Sequence, residues 1–156
     1  MHLPSRQVSK HNLTPDPQHS RGAFLFAQSS LPLLLAHSQA QASNTTTMSP
    51  GTLLFTGATA STKASAEFSA FAAPKHAMRA LALSLAREFG PQGVHVAHAV
   101  IDGVIDIPKT KAWLKNVPFE GKLGAEDIAE AYWGLHVQGR RGWANEIDLR
   151  PMLEKF

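Results

Sequence analysis

The stretch that decides the fold lies between Gly51 and Ile107. It begins GTLLFTGATAS, residues 51–61, an apolar run that breaks into small and hydroxyl-bearing residues. A helical pattern covers residues 68–89 and is closed by a Gly-Pro pair, and a second apolar run, GVHVAHAVIDG, covers residues 93–103. Strand, helix and strand in this order make a βαβ unit, which almost always winds right-handed into a parallel sheet.

Further elements flank this unit on both sides. Upstream, apolar residues recur three and four apart from Ala23 to Leu35, which predicts a helix with a kink at Pro32. Downstream, the pattern predicts a helix over residues 125–137 and a last strand over residues 143–149. The predicted fold class is therefore α/β: a partial Rossmann-like, doubly wound domain of about three parallel strands with flanking helices.

The central helix is predicted from its apolar period and its proline. Pro74 is costly in a helix interior, so we expect the helix to begin near Ala73, with the proline in its first turn. Arg79 is expected to face away from the core. The expected buried stripe consists of Phe71, Met78, Leu81, Leu85 and Phe89.

Composition predicts three segments in one small protein. Residues 1–20 are polar, contain three prolines and have no hydrophobic period, so we expect them to be disordered. Residues 21–151 form the folded part, and residues 152–156 form a tail. A chain of 156 residues is long enough for one domain with a sizeable core.

Charge and cysteine content exclude several classes of function. The net charge is +3, and its scattered Lys and Arg form no basic stripe of the kind that binds nucleic acid. There is no Cys, which excludes disulfides and thiolate metal sites and fits a reducing compartment. The apolar segment 24–36 is too short and too interrupted to span a bilayer. We expect a cytoplasmic protein that binds neither nucleic acid nor membrane.

The histidines do not predict a metal site. His95 and His98 are three residues apart on a strand, so their side chains should point to opposite faces of the sheet. None of the eight His has a spacing typical of a metal-binding motif.

The central unit is similar to the C-terminal half of the catalytic domain of short-chain dehydrogenases/reductases. In that family a strand ends in a catalytic Ser, a Tyr-x-x-x-Lys opens the next helix, and the following strand ends in a Pro-Gly turn over the nicotinamide. The matching segments here are residues 53–61, FAAPK at 71–75, and residues 101–108. The resemblance covers about residues 21–151 and implies NAD(P)-dependent oxidoreduction of a carbonyl or an alcohol.

The catalytic set that the resemblance implies is depleted. Lys75 is retained, but Phe71 occupies the Tyr position, and Ala58, thirteen residues earlier, occupies the Ser position. A family Asn in the preceding helix falls on His19. Phe71 has no hydroxyl and cannot act as an acid or a base, and Ala58 cannot donate a hydrogen bond.

The cofactor positions implied by the resemblance lie in and after the second strand. Lys75, Asp102, Gly103 and Ile105 fall on them, with Asp102 at the family's Pro and Ile107 at its Thr. The glycine-rich turn that seats cofactor phosphates is not found before residue 21. The segment TGATASTK, residues 56–63, has side chains where that turn needs glycine. We therefore expect no cofactor on the isolated chain, although the resemblance implies NAD(P).

Several residues have both a functional and a structural interpretation. Lys75 either binds a ribose or phosphate, or extends its ammonium group into water. Thr56, Thr59 and Ser61 either replace the lost Ser or bond their own loop. Asp102 either contacts a ligand or forms the turn before glycine.

Three hypotheses for function remain open from the sequence. The first is a truncated relative that is redox-incompetent on its own, either a degenerate gene product or a protein reused for binding or assembly. In the second case it is an interaction module that pairs through the central helices, as a homo-oligomer or with a fuller family member. The second is a non-redox enzyme, such as an isomerase or cyclase, that holds a hydrophobic small molecule in the old cleft. The third is an oxidoreductase whose nucleotide-binding half comes from elsewhere.

Overall fold

The computed structural model describes residues 17–40 and 50–154. In chain order these residues form α1 (Pro17–Ala40), β1 (Gly51–Thr56), α2 (Ser69–Phe89), β2 (Val94–Ile101), α3 (Ala125–His136) and β3 (Glu146–Leu149). The strands make one parallel sheet in the order β1-β2-β3. The predicted α/β fold of three parallel strands with flanking helices is therefore confirmed.

The middle strand is covered on both sides. All eight residues of β2 are buried, as its nearly continuous apolar sequence indicates for a parallel strand between two layers of helices. It pairs with β1 from Gly51 opposite Val94 onward, and with β3 from His98 opposite Glu146 onward. These registers decide which side chains meet at the functional end of the sheet.

Helices α1 and α2 cover one face of the sheet. Leu53 and Phe55 of β1 and Val94 and Val96 of β2 point to this face. The helices contribute the rest of this core with Ala27, Leu31, Met78, Ala82 and Ala86. Ser38, near the end of α1, is buried and donates a hydrogen bond to the carbonyl of Gly93 (2.8 Å), which ties the helix to the start of β2.

Helix α3 covers the opposite face. Ala99 and Ile101 of β2 pack there with Leu123. Ile128 and Tyr132 of α3 are partly buried against this smaller cluster. The helix begins after Gly124 with Glu126 and Asp127 in its first turn, where carboxylates favour the positive end of the helix dipole.

The ends of two elements differ from the predictions. Helix α1 begins at Pro17, so the disorder predicted for residues 17–20 is wrong. Pro17 stands at the first helical position, where the helix makes no use of a backbone N–H. Strand β3 is shorter than predicted because Trp143 lies outside the ladder. Residues 1–16 and 155–156 of the predicted terminal segments lie outside the described residues.

Helix α2 begins earlier than predicted and is rotated. It starts at Ser69, so Pro74 lies inside the helix, buried, and not in its first turn. The residues that face the core are mostly alanines, which allow the helix to lie close to the sheet. Phe71, expected in the buried stripe, is 42% exposed. The buried set is Ala72, Pro74, Met78, Ala82 and Ala86, with Leu81, Leu85 and Phe89 partly buried.

Candidate functional site

A cavity of about 670 Å³ opens at the carboxyl ends of β1 and β2. Ligands of open α/β sheets bind at this end of the strands. The cavity brings together six of the residues singled out from the sequence: Ala58, Thr59, Phe71, Gly103, Ile105 and Ile107. The rest of its lining is mostly apolar and consists of Ala60, Lys63, Ser65, Phe68, Ile101, Val104, Thr110, Trp113 and Glu154.

The wall after β1 is a tight turn held by backbone bonds. The N–H of Gly57 donates to the carbonyl of Ala99 (2.7 Å), and the N–H of Ser61 donates to the carbonyl of Ala58 (2.7 Å). Ser61 is fully buried, and its Oγ accepts the N–H of Ala58 at 3.1 Å. Ser61 therefore supports this turn and does not line the cavity.

Three aromatic side chains line this cavity, and one of them, Phe71, stands where the family resemblance implies the hydroxyl of a Tyr. Phe71 projects from the first turn of α2 and is 42% exposed. Phe68 and Trp113 line the same space and are 58% and 70% exposed. Large aromatic surfaces left in water around a cavity favour an apolar ligand, because their burial is a source of binding free energy.

Lys75 does not line the cavity, and its side chain is hydrogen-bonded to the end of β1. Its Nζ donates a hydrogen bond to the carbonyl of Thr56 (2.9 Å) and lies 5.9 Å from the ring centroid of Phe71. Burial lowers the pKa of Lys75. From the opposite face of the sheet, the hydroxyl of Tyr132 donates to Oγ1 of Thr56 (2.9 Å), and burial raises the pKa of this Tyr.

Asp102 is a buried structural link and is not among the residues that line the cavity. Its carboxylate accepts a hydrogen bond from the hydroxyl of Thr59 (2.5 Å) and forms an ion pair with Arg150 at 3.1 Å. Its N–H donates to the carbonyl of Leu149 (2.8 Å). Asp102 therefore joins the turn after β1 to the ends of β2 and β3.

The chain after Asp102 forms the floor of the cavity. A Cβ on Gly103 would lie 2.7 Å from Cδ of Pro151, so no larger residue fits there without displacing the C-terminal segment. Ile105 makes a parallel bridge with Leu123, and its carbonyl accepts a hydrogen bond from the hydroxyl of Thr110.

A cluster of ionisable side chains, of which only His98 is buried, lies behind the turn after β1, and the sequence did not predict it. Arg79 was expected to face away from the core, but its Nε and Nη2 donate to the carboxylate of Glu146 at 2.6 and 2.7 Å. That carboxylate also accepts from Nδ1 of His98 (3.1 Å), and the His98 ring is fully buried. The paired charge of Arg79 lowers the pKa of Glu146, and burial lowers the pKa of His98 in spite of its carboxylate partner.

The other ring nitrogen of His98, Nε2, lies against the turn after β1. Among the described residues Nε2 has no hydrogen-bond partner. A Cβ on Gly57 would lie only 2.3 Å from it, so glycine is needed for the strand to pass this ring. Residue types alone do not indicate the pairing of His98 with Glu146, because only the register between β2 and β3 sets the two residues opposite each other.

His95 confirms the predicted orientation of the two strand histidines. It stacks on Trp143 with ring centroids 4.8 Å apart, and its Nε2 donates to the carbonyl of Ala144 (2.9 Å). His98 faces α2 on the other side of the sheet, as described above. Within residues 17–40 and 50–154, no three His, Cys, Asp or Glu side chains are placed to hold a metal ion.

The helices of the described segments do not include a membrane span. None of them combines the length and the apolar character that crossing a bilayer needs.

The sequence matches one protein-family model over most of its length. Residues 20–141 match the model described as Enoyl-(Acyl carrier protein) reductase. Among curated protein sequences, none is significantly similar to this chain.

Solved structures with a similar fold include several dehydrogenases. A short-chain dehydrogenase from Rhodopseudomonas palustris is 29% identical, with a TM-score of 0.64 over 97% of this chain and 57% of that one. A serine dehydrogenase complexed with NADP+ is 18% identical, with a TM-score of 0.71 over 88% and 54%. An alcohol dehydrogenase from Thermococcus sibiricus, complexed with 5-hydroxy-NADP, is 20% identical, with a TM-score of 0.64 over 88% and 52%. The chain thus spans about half the length of these structures.

Proposed function

Because the chain belongs to the short-chain dehydrogenase/reductase family, we propose that it binds a small, largely apolar molecule in the cavity and does not carry out the family's hydride transfer with its own residues. The observation that supports this proposal is the cavity wall itself. Phe71 and Ala58 stand at the positions where the family resemblance implies a proton donor and a hydroxyl, and both line the space.

Proton delivery is the step that this lining does not support. Reduction of a carbonyl adds a hydride to carbon and a proton to oxygen. The described residues of the lining carry no phenol and no imidazole. The hydroxyls of Thr59 and Thr110 already donate to Asp102 and to the carbonyl of Ile105. The remaining polar residues of the lining, Ser65, Lys63 and Glu154, are exposed to water.

The residues fit a nicotinamide cofactor only at Lys75. Its ammonium has two donors beyond the bond to Thr56, which suits the hydroxyls of a ribose. Asp102, however, is already paired with Arg150 and Thr59, and Ile107 offers no side-chain donor. This donor set does not fit the cofactor as a reacting partner, so we assign it no hydride-transfer step and keep the prediction that the isolated chain carries no cofactor.

Nile red, a neutral apolar dye, tests the binding proposal directly. We expect saturable binding, followed by dye fluorescence, that is weakened several-fold by Phe71→Ser, because this substitution removes an exposed aromatic wall. Phe119→Ser is the matched control, since Phe119 is 84% exposed and does not line this cavity. Equal binding by both variants and the wild type would contradict the proposal.

Activity assays separate the remaining functions. We expect no oxidation of NADPH or NADH with a trans-2-enoyl thioester or a simple ketone as substrate. Turnover that is lost in Lys75→Ala would establish an oxidoreductase instead. Cofactor-free conversion of a bound hydrophobic substrate would establish the isomerase or cyclase hypothesis.

We further propose that the chain pairs through α1 and α2, with a second copy or with a fuller family member. The outer face of α1 carries Phe24, Leu25, Phe26 and Leu33, which are 53%, 46%, 63% and 73% exposed. Phe26 and Leu33 are two helical turns apart and share a face. Light scattering after gel filtration should give a dimer or larger species that Phe26→Lys with Leu33→Lys converts to a monomer. A wild-type protein that is monomeric at all concentrations would exclude the homo-oligomer.

A further inference from the structure

The polar groups of the cavity are divided between its interior and its exposed edge. The interior hydroxyls of Thr59 and Thr110 are both used in hydrogen bonds to other parts of the chain. The remaining polar side chains of the lining, Ser65 and the charged residues Lys63 and Glu154, are exposed. A ligand that carried a polar group deep inside would leave it without a partner, which costs free energy. The polar end of the ligand must therefore lie at the exposed edge.

The backbone of Lys63 is held by a hydrogen bond, but its side chain forms no ion pair with a described residue. Its N–H donates to the carbonyl of Thr59 (2.9 Å), which fixes its backbone at the end of the turn after β1. With the residues that the structure describes, its ammonium forms no ion pair, not even with Glu67 of the same loop. Its positive charge is therefore available to a ligand.

Glu154 differs from Lys63 because a cation lies near it. Its N–H donates to the carbonyl of Pro151 (3.0 Å), so its backbone is also fixed. The opposite charge of Arg150 is close enough to interact with its carboxylate. The negative charge at the edge of the cavity is thus partly compensated, while the positive charge is not.

We infer that the ligand of this cavity is an anionic amphiphile, with its hydrocarbon body against Phe68, Phe71 and Trp113 and its carboxylate or phosphate on Lys63. This inference rests on the proposed binding function and names its substrate class. Glu154 carries the same sign of charge as the head group and offers it no favourable contact, so the head group is assigned to Lys63. A volume of about 670 Å³ accommodates a chain of this kind, because ligand cavities commonly measure about 300–1,000 Å³.

A series of twelve-carbon probes tests the head group. Calorimetric titration at pH 8 compares dodecanoate, dodecyl phosphate, dodecanol and dodecylammonium, each below its micelle concentration. We expect the two anions to bind more tightly than the alcohol and dodecylammonium to bind most weakly. The tighter of the two anions identifies the head group as carboxylate or phosphate.

Substitution of the charged residues tests the contact. Lys63→Gln should weaken dodecanoate about two- to fivefold, the range of an exposed ion pair, and leave dodecanol unchanged. Glu154→Gln is the matched control and should not weaken dodecanoate. Removal of each CH₂ from the hydrocarbon chain of the probe should weaken binding about fourfold, in the wild type and in Lys63→Gln alike.

The outcomes distinguish this inference from the proposed function. If dodecanol binds as tightly as dodecanoate, or if Lys63→Gln has no effect, the anionic head group is wrong and the apolar site stands. If dodecylammonium binds most tightly and Glu154→Gln abolishes that preference, the ligand is a cation and the inference is overturned. If none of the four probes and no Nile red binds, the proposed function itself fails.

Discussion

Gly57→Ala tests how tightly the turn after β1 is packed against the buried side chains of His98 and Ser61. The added Cβ would lie 2.3 Å from Nε2 of His98 and 2.8 Å from Oγ of Ser61. Both side chains are fully buried, and both are held, His98 by Glu146 and Ser61 by the N–H of Ala58. Neither can move away as the end of a flexible side chain does.

The expected cost follows from these contacts. An extra methyl group in a well-packed core costs about 1–3 kcal/mol, and a clash with two fixed side chains places Gly57→Ala at about 2–3 kcal/mol. For a chain of this size the Tm should fall by about 4–12 °C. Calorimetry or circular dichroism with temperature measures the change.

Two comparisons make the cause identifiable. Gly134→Ala on α3 places its Cβ in open space and should stabilise the protein by about 0.5–1 kcal/mol, because glycine is unfavourable inside a helix. In a His98→Ala background the closest clash is gone and only the 2.8 Å approach to Oγ of Ser61 remains, so Gly57→Ala should then cost less than it does in the wild type. An unchanged Tm for Gly57→Ala, or an equal cost in both backgrounds, would refute the packing argument.

Three further predictions concern the ionisable residues Glu146, His98 and Asp102. Glu146→Gln should lower the free energy of unfolding by about 1–2 kcal/mol because it breaks a two-bond ion pair. The pair of the exposed Asp148 with Arg150, which directly follows β3, should contribute less than about 1 kcal/mol. Equal losses for Glu146→Gln and Asp148→Asn in urea titrations would refute this ranking. Burial holds the pKa of His98 below its ordinary 6.5, so the unfolded state takes up a proton that the folded state does not, and stability present above about pH 6.5 is lost as the pH falls. Urea titrations between pH 7.5 and 5.5 should show a smaller loss for His98→Asn than for the wild type, and parallel curves would contradict this assignment. Asp102→Ala should cost about 2–4 kcal/mol, since it removes the buried partner of Arg150, and a loss below about 1 kcal/mol would show that the link is dispensable.

The layers of the fold could be predicted because strand and helix leave different periods in the sequence. The continuous apolar run of residues 94–101 indicated a strand buried on both faces, and it is one. The rotation of α2 could not be predicted in the same way. Large apolar residues and alanines both recur at helical spacing in residues 69–89, and the alanines face the sheet because their small size allows close approach.

The cavity was predictable in part because parallel strands end at the same edge of a sheet. Ala58, Phe71, Gly103 and Ile105 were selected from the sequence and line one space. Lys75 was selected with them and does not line it, because its side chain bends back to the end of β1. The sequence carries no sign of that direction.

The cluster behind the cavity was not predictable from residue types alone. Arg79, His98 and Glu146 are far apart in the chain, and each is ordinary on its own element. They meet because the ladder between β2 and β3 sets His98 opposite Glu146. A shift of this register by one residue would reverse the face of every side chain in the short strand.

The sheet has a consequence for how the chain folds. Its ladders begin at Gly51 opposite Val94 and at His98 opposite Glu146, so every pair joins residues more than forty positions apart. No hairpin is available as a local nucleus, and the loop entropy of each pairing must be overcome before the strand contacts form. Helix α2 packs on β2, which follows it after a short connection, so these two elements are the most local partners that the topology offers. Folding should therefore be slow for a chain of this length, and hydrogen exchange should protect α2 before it protects β3.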